Sequence, residues 1–551
     1  MGVATYIEIL QFKQKLEQWL GQQLSKISEA PYVVFFSYGT AEERCKVWST
    51  YADDAKTAIK RTLKFVDQYA EKYRVLPEFL KFDVVTKIEK KDWASVVREI
   101  EQQMHNNHYR KGISFDEQFT VCFLEQEIYG RAIIRGLVYN KPNFIDQANL
   151  NTTIKKKYPN LKVQYDIEKI TDVWVFDTQA AYFEQGEFID LHSTGPFNGV
   201  RVLQGDKKQH VKEIVQANAQ FLHDQITETG QFVYGYNAAY ARQLKSYNTV
   251  RHCTSLYALL ETLEVEDRQE YLVKIKLGIE YAIREFYREV GDSAFMIDGT
   301  EGNYEIKMGA NAAAIFMFAK YQEITGDDRY LSYAEGLATG ILSMIDEHGE
   351  TTHVLHYPSL EEKEKFRIVY YDGEAALGLL RLYQINQDTQ LLDTVRLMFD
   401  HFIAKKYDKY HDHWLSYCAN ELTKIDPQEK YFQFGLNNYL KHMRFIKERK
   451  TAYATFLEMM MSAYKMVRRL KDQGYEELYA SARFEELKEL IEGRVEYQRT
   501  GFFYPEVAMY TAEPGKVLNA FYVRHDRFRA RIDDQEHNLS GYIAYLNHFE
   551  Q

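Results

Sequence analysis

The chain has 551 residues, 45% of them hydrophobic and 27% charged, with a formal net charge of −11. That length exceeds one ordinary hydrophobic core, so two bodies or a repeat array are expected. The acidic balance argues against a general nucleic-acid binder, which needs a basic stripe. Four cysteines (Cys45, Cys122, Cys253 and Cys418) lie far apart without CxxC spacing, the start has no basic-then-apolar signal pattern, and no apolar run nears the ~20 residues of a membrane span. Reduced thiols, no membrane insertion and a cytoplasmic address are the expectation.

The first 195 residues mix two periodicities. Ile7–Lys26 carries apolar residues at helical spacing, and Pro31–Tyr38 (PYVVFFSY) is β-branched and aromatic, reading as a strand. Glu42–Tyr73 is predicted as one long amphipathic helix. Phe82–Ile88, Phe119–Leu124, Asp172–Asp177 and Gly186–His192 are strand candidates, with a helix over Trp93–His105. Alternating helices and strands predict an α/β or α+β domain over 1–195. There is no GxGxxG and no GxxxxGKS/T, so neither a dinucleotide nor a phosphate loop is present, and no cofactor is expected.

Ser193–Val200 (STGPFNGV) reads as a linker, and from about 205 to 551 helical periodicity takes over. Three stretches look like one unit repeated: RHCTSLYALLE from Arg251, MGANAAAIFMFAKY from Met308 and YYDGEAALGLLRLY from Tyr370. Each is followed by a polar link and a second helix, announced by Asp267-Arg268, Asp328-Arg329 and Asp388-Thr389. Gly230, Gly291 and Gly349 recur after outgoing helices. A period of roughly 60 residues suits one helical hairpin, and about a dozen helices, among them Arg268–Val290, Met308–Thr325, Tyr431–Lys447 and Glu476–Glu496, give six hairpins. No hairpin buries its apolar face alone, so the copies must pack on one another.

This repeat pattern, over about 205–551, resembles the six-hairpin (α/α) toroid superfamily, which holds glucuronyl C5-epimerases, N-acylglucosamine epimerases and unsaturated glucuronyl hydrolases, together with lanthionine cyclases and class II terpene cyclases. The resemblance implies a mixed fold: an α/β or α+β domain followed by an all-α (α/α)6 toroid. It is one of repeat pattern, with no single family's catalytic set matched. Asp533-Asp534 is similar to the terpene-cyclase acid motif, but Arg531 stands where an aspartate is required. The Cys/Cys/His zinc set of a lanthionine cyclase is not found either.

In a closed ring, the N-termini of the inner helices converge on one end, where helix dipoles and loop side chains can face a common cavity. The candidate catalytic residues are Glu374, Asp533, Asp534, His252 and His537: two carboxylates across a cleft for acid/base work, with histidines as proton carriers. Arg251 and Arg531 are candidate clamps, and Tyr234, Tyr236, Asn311, Tyr371 and Trp414 candidate substrate contacts. The competing readings are helix capping for the acids, internal salt bridges for the arginines and structural roles for the histidines. His353-x-x-His356 and His411-x-His413 lack further ligands, so no metal is expected.

Two functions follow. One is an enzyme using acid/base chemistry (hydrolysis, epimerisation or elimination) on a uronic acid or other sugar. The other is a non-catalytic binding or assembly component of a cytoplasmic polymer-biosynthesis complex. The expected partners are a carbohydrate or other small polar substrate, and a protein partner or second copy through the N-terminal domain.

Overall fold

The computed structural model describes residues 3–73, 75–130, 132–136 and 142–550. They form two compact units. The first comprises Met1–Gly205, Tyr236–Leu244 and Thr500–Ala530; the second comprises Asp206–Gly235, Lys245–Arg499 and Arg531–Gln551. Two segments of the stretch 205–551, read from the sequence as one body, thus cluster with the first unit.

The first unit is built on a seven-stranded sheet in the order Lys46–Ala52, Tyr32–Gly39, Phe79–Asp92, Asp172–Glu184, Gly112–Ser114, Cys122–Phe123, with Glu187–Leu191 hairpinned onto Asp172–Glu184. Every pairing in it is antiparallel, so the unit is α+β. Alternation sorts the core: Val34 and Phe36 pack with Phe12, Leu16 and Leu20 of the first helix, while Val33 and Phe35 join Val85 and Phe176. The long helix predicted over Glu42–Tyr73 is corrected. Lys46–Ala52 (KVWSTYA) is a strand, and the helix is Ala55–Tyr73. Trp48, Thr50 and Tyr51 favour the pleated surface, and Asp54 starts the helix by accepting the Thr57 N–H at 2.8 Å.

The second unit is the toroid. Six inner helices, Thr249–Thr262, Met308–Thr325, Tyr370–Asn386, His413–Ile425, Thr455–Asp472 and Ile532–His548, each pack on the next, and the last packs on the first, closing the ring. Outside them lie Tyr271–Phe286, Leu331–Leu342, Thr389–Ala404, Glu429–Leu440, Phe484–Gln498 and Lys207–Asp224, the last serving the final inner helix. The inner Met308–Thr325 is buried on every side from Met308 to Tyr321, as a helix enclosed by neighbours must be. Gly230 and Gly349 occupy equivalent turns at positive φ. A Cβ at either would sit 2.0 Å from the Leu277 carbonyl oxygen or 2.5 Å from that of Leu397, both on outer helices. The repeat in the sequence is therefore a repeated close approach of loop to helix.

Three helix expectations are corrected. The helix predicted over Arg268–Val290 ends at Phe286, and Tyr287–Val290 begins a five-stranded sheet that continues through Ser293–Thr300, Asn303–Lys307, Val354–His356 and Glu362–Glu364. Tyr431–Lys447 breaks after Leu440, and Glu476–Glu496 breaks between Ser481 and Phe484, where Arg483 takes a φ of 50°. All four cysteines are buried free thiols. No helix among the described residues is long and apolar enough to cross a membrane.

Candidate active site at the N-terminal mouth of the ring

Contacts between first turns show that the six inner helices run parallel, with their N-termini at one mouth. Arg251 reaches Asp533 at 2.9 Å. A Cβ on Gly309 would lie 1.9 Å from Glu374 Oε2, and one on Gly373 would lie 2.7 Å from the Trp414 Cβ. Glu458 and His537 meet at 2.9 Å, and the His413 and His537 rings stand 5.2 Å apart. Free N–H groups and aligned dipoles at helix starts favour acids there, which lets so many acids gather.

Glu374 is buried, and among the described residues its Oε2 has no hydrogen-bond partner. Burial, reinforced by Asp412, pushes its carboxyl up to about 8. Asp412 caps the His413 helix by accepting from the Trp414 and Leu415 N–H groups at 3.1 and 3.2 Å. Those bonds favour its ionised form, yet full burial prevails and raises it to about 8 as well. Glu374 and Asp412 are thus neighbouring carboxyls that both hold their protons at neutral pH.

The two histidines diverge. Burial holds His413 down at about 3, so its ring is neutral; its Nδ1 lies 3.2 Å from Asp412, and its buried Nε2 has no partner among the described residues. His537 is also desolvated, but Glu536 and Glu458 at 3.2 and 2.9 Å from its Nδ1 overcome that and raise it above its ordinary value, while burial and the neighbouring Glu458 drive the Glu536 carboxyl itself far up. Glu458 is steadied from its other oxygen by the Tyr417 hydroxyl, which donates at 3.1 Å. The His537 side chain keeps 22% of its surface open, so solvent and ligand reach this imidazolium.

The other sequence candidates are taken up by contacts of their own. Asp533 is held between Arg251 and Arg531, at 2.9 Å from each. Asp534 accepts the Arg531 backbone N–H at 2.8 Å and pairs with its guanidinium at 3.2 Å, so it caps its own helix. Both arginines, proposed as clamps, are occupied by these acids, and Arg251 also donates to the Tyr234 hydroxyl. His252 points away from the mouth toward the outer layer. Its Nδ1 meets the Tyr247 hydroxyl at 2.7 Å and its Nε2 the Gly278 carbonyl at 2.8 Å, which makes it a satisfied structural histidine. Asn311 brackets backbone, donating to the Lys307 carbonyl and accepting from the Met296 N–H, both at 2.8 Å. Tyr371 packs on Gly309 and lies 5.4 Å from the His353 ring, and Trp414 stacks on Phe316 beside His413. Tyr236 belongs to the first unit.

Sequence reading missed Glu458, and took His413 only as half of an His-x-His pair. Glu458 is a lone acid in the apolar run FLEMMM, in the first turn of an inner helix, as Glu374 and His537 are near theirs. That shared repeat position is the signal that could have found it. Neither flagged histidine pair forms a site: His353 contacts Asp372 at 3.2 Å, His356 is exposed, and His411 Nδ1 meets the Asn438 carbonyl. Among the described residues, His413, Glu458 and His537 have donor atoms within 4.8 Å of one another, a set that can hold a cation.

No protein-family model and no curated protein matches the chain. Among solved structures, a D-mannose isomerase aligns over 63% of this chain and 99% of its own, at 11% identity and a TM-score of 0.46. The cellobiose 2-epimerase of Bacillus thermoamylovorans B4167 aligns over 61% and 99%, at 14% and 0.46. The GH76A α-1,6-mannanase of Salegentibacter sp. HEL1_6 aligns over 61% and 98%, at 12% and 0.41.

Proposed function

We propose that this chain is a carbohydrate-active enzyme that moves a proton at a carbon beside a sugar carbonyl, an epimerisation or isomerisation, with His413 as base and His537 as acid. What supports this reading is the pair of imidazole rings of His413 and His537, 5.2 Å apart at the N-terminal mouth, with surroundings that push the first down and the second up. Groups whose surroundings drive their protonation apart are the mark of an acid/base pair. The unpartnered His413 Nε2 takes the proton from carbon. The His537 imidazolium stabilises charge developing on the carbonyl oxygen and returns a proton. Glu374, neutral at pH 7, can donate to a sugar hydroxyl, and Trp414 and Tyr371 supply flat walls.

Hydrolysis fits less well. It needs one protonated and one ionised carboxyl across the scissile bond, and Glu458, the acid that could pair with the protonated Glu374, is already engaged by His537 and Tyr417. Because Arg251 and Arg531 are already paired, a neutral sugar suits the mouth better than a uronate.

The test is proton NMR of free aldoses, mannose and cellobiose among them, incubated with the full-length protein in D2O. The C2 proton signal of at least one sugar disappears as an epimer or ketose forms. Release of reducing ends from an oligosaccharide without deuterium uptake identifies a hydrolase, and no turnover of any sugar leaves the non-catalytic component.

A further inference from the structure

The first unit contains a cavity of about 50 Å³, several times the ~10–15 Å³ that one water requires. It is lined by Arg44, Tyr129, Asn198, Phe503, Arg524 and Phe528, and also by Glu125 and Glu506. The acids are already neutralised by arginines from outside the lining. Glu125 lies 3.2 Å from Arg110 Nε and accepts from Asn198 at 2.7 Å; Glu506 takes two hydrogen bonds from Arg201, at 2.9 and 2.7 Å.

Arg44 and Arg524 have no such partner: neither is in ion-pair contact with a carboxylate among the described residues. Arg44 donates through Nη2 alone, to the Gln126 and Glu127 carbonyls at 3.2 and 3.4 Å, and Arg524 through Nη2 alone, to the Tyr522 hydroxyl at 3.1 Å. A guanidinium carries five N–H donors, so most of theirs stay open. The Arg524 guanidinium also lies 5.8 Å from the Tyr129 ring and 5.3 Å from the Phe528 ring, which orients it without cancelling its charge. Partly buried cations left without acids are costly unless an anion completes them.

We infer that this cavity is an oxyanion-binding site, taking a carboxylate or phosphate group between Arg44 and Arg524 with the apolar part of the ligand against Tyr129, Phe503 and Phe528. Two guanidinium groups suit the paired oxygens of either anion. The site is independent of the chemistry proposed for the ring, and each reading can fail alone.

The experiment is calorimetric titration of the full-length protein with inorganic phosphate and with benzoate, at constant ionic strength against a chloride control. Saturable 1:1 binding of either probe is expected; phosphate alone points to a phosphate ester, and benzoate to an aromatic carboxylate. Arg44→Met and Arg524→Met weaken it at least tenfold, while Arg524→Lys retains part of it, with circular dichroism reporting that each variant is folded. Should Arg44→Met not fold, the Arg524 pair decides. Binding no stronger than chloride, or folded Met variants that bind like the wild type, would overturn the inference.

Discussion

Glu374 and Glu421 are both buried glutamates on neighbouring inner helices of the same ring, and they behave in opposite ways. Near the C-terminal end, burial pushes Glu421 up, but Arg381 at 3.6 Å and Lys424 at 2.7 Å outweigh it and hold the carboxyl well below its ordinary range. Gln384 adds a hydrogen bond at 2.9 Å, and nearby Lys320 is paired with Glu264 and Glu323. At the N-terminal mouth, Glu374 has no cation in contact among the described residues, its neighbour is another carboxyl, and its carboxyl rises to about 8. Burial alone does not make a group reactive; burial with the counter-ion left out does. Glu421 and Lys320 near one end of the ring are held by charge pairs, although Glu261 there is raised to about 7, whereas the acids and imidazoles of the N-terminal mouth lie beside one another.

The sharpest way to break that contrast is at the imidazoles. His413→Gln and His537→Gln should each lower kcat on the turned-over sugar by about 10²–10⁴, the usual worth of a positioned acid or base, in steady-state assays on folded protein. At the opposite end, Glu421→Gln should leave kcat of the folded protein unchanged. It should cost about 3–5 kcal/mol in urea denaturation, since it strands the buried Arg381 charge.

Glu374→Gln sharpens the comparison through pH. A carboxyl raised from 4.5 to about 8 binds its proton more tightly in the folded state, so it supports the fold below pH 4.5 and loses that support as pH rises through 8. The variant should therefore match the wild-type melting temperature near pH 4.5 and exceed it by pH 9, by on the order of a few kcal/mol in stability. The smallest effect is expected from chelation. Dialysis against EDTA should leave turnover unchanged, because a His537 imidazolium beside Glu458 repels a cation from the His413, Glu458 and His537 set.

Much of the ring was legible in the sequence, because a hairpin period near 60 residues and helices apolar all round admit few other packings. Met308–Thr325 falls on its predicted bounds, and Glu374 and His537 lie at the mouth. The five-stranded sheet was not legible. Asn303–Lys307 pairs with Val354–His356, about 50 residues away, and such pairing leaves no local trace in short strands. The fate of each charge was equally non-local. Nothing near Asp533 in sequence reveals that Arg251, on another inner helix, will neutralise it, and nothing near His252 reveals that the Gly278 carbonyl will claim its ring. Glu458 was hidden because a lone acid among methionines reads as an interruption until the ring brings it to His537.

Whether the mouth holds two neighbouring imidazoles in opposite protonation states is read by 15N NMR of histidine-labelled protein at pH 7.5, with His413→Gln and His537→Gln assigning the signals. His413 should give the signals of a neutral ring and His537 those of an imidazolium that persists well above pH 7. Two neutral rings, or two that titrate together near 6.5, would contradict this.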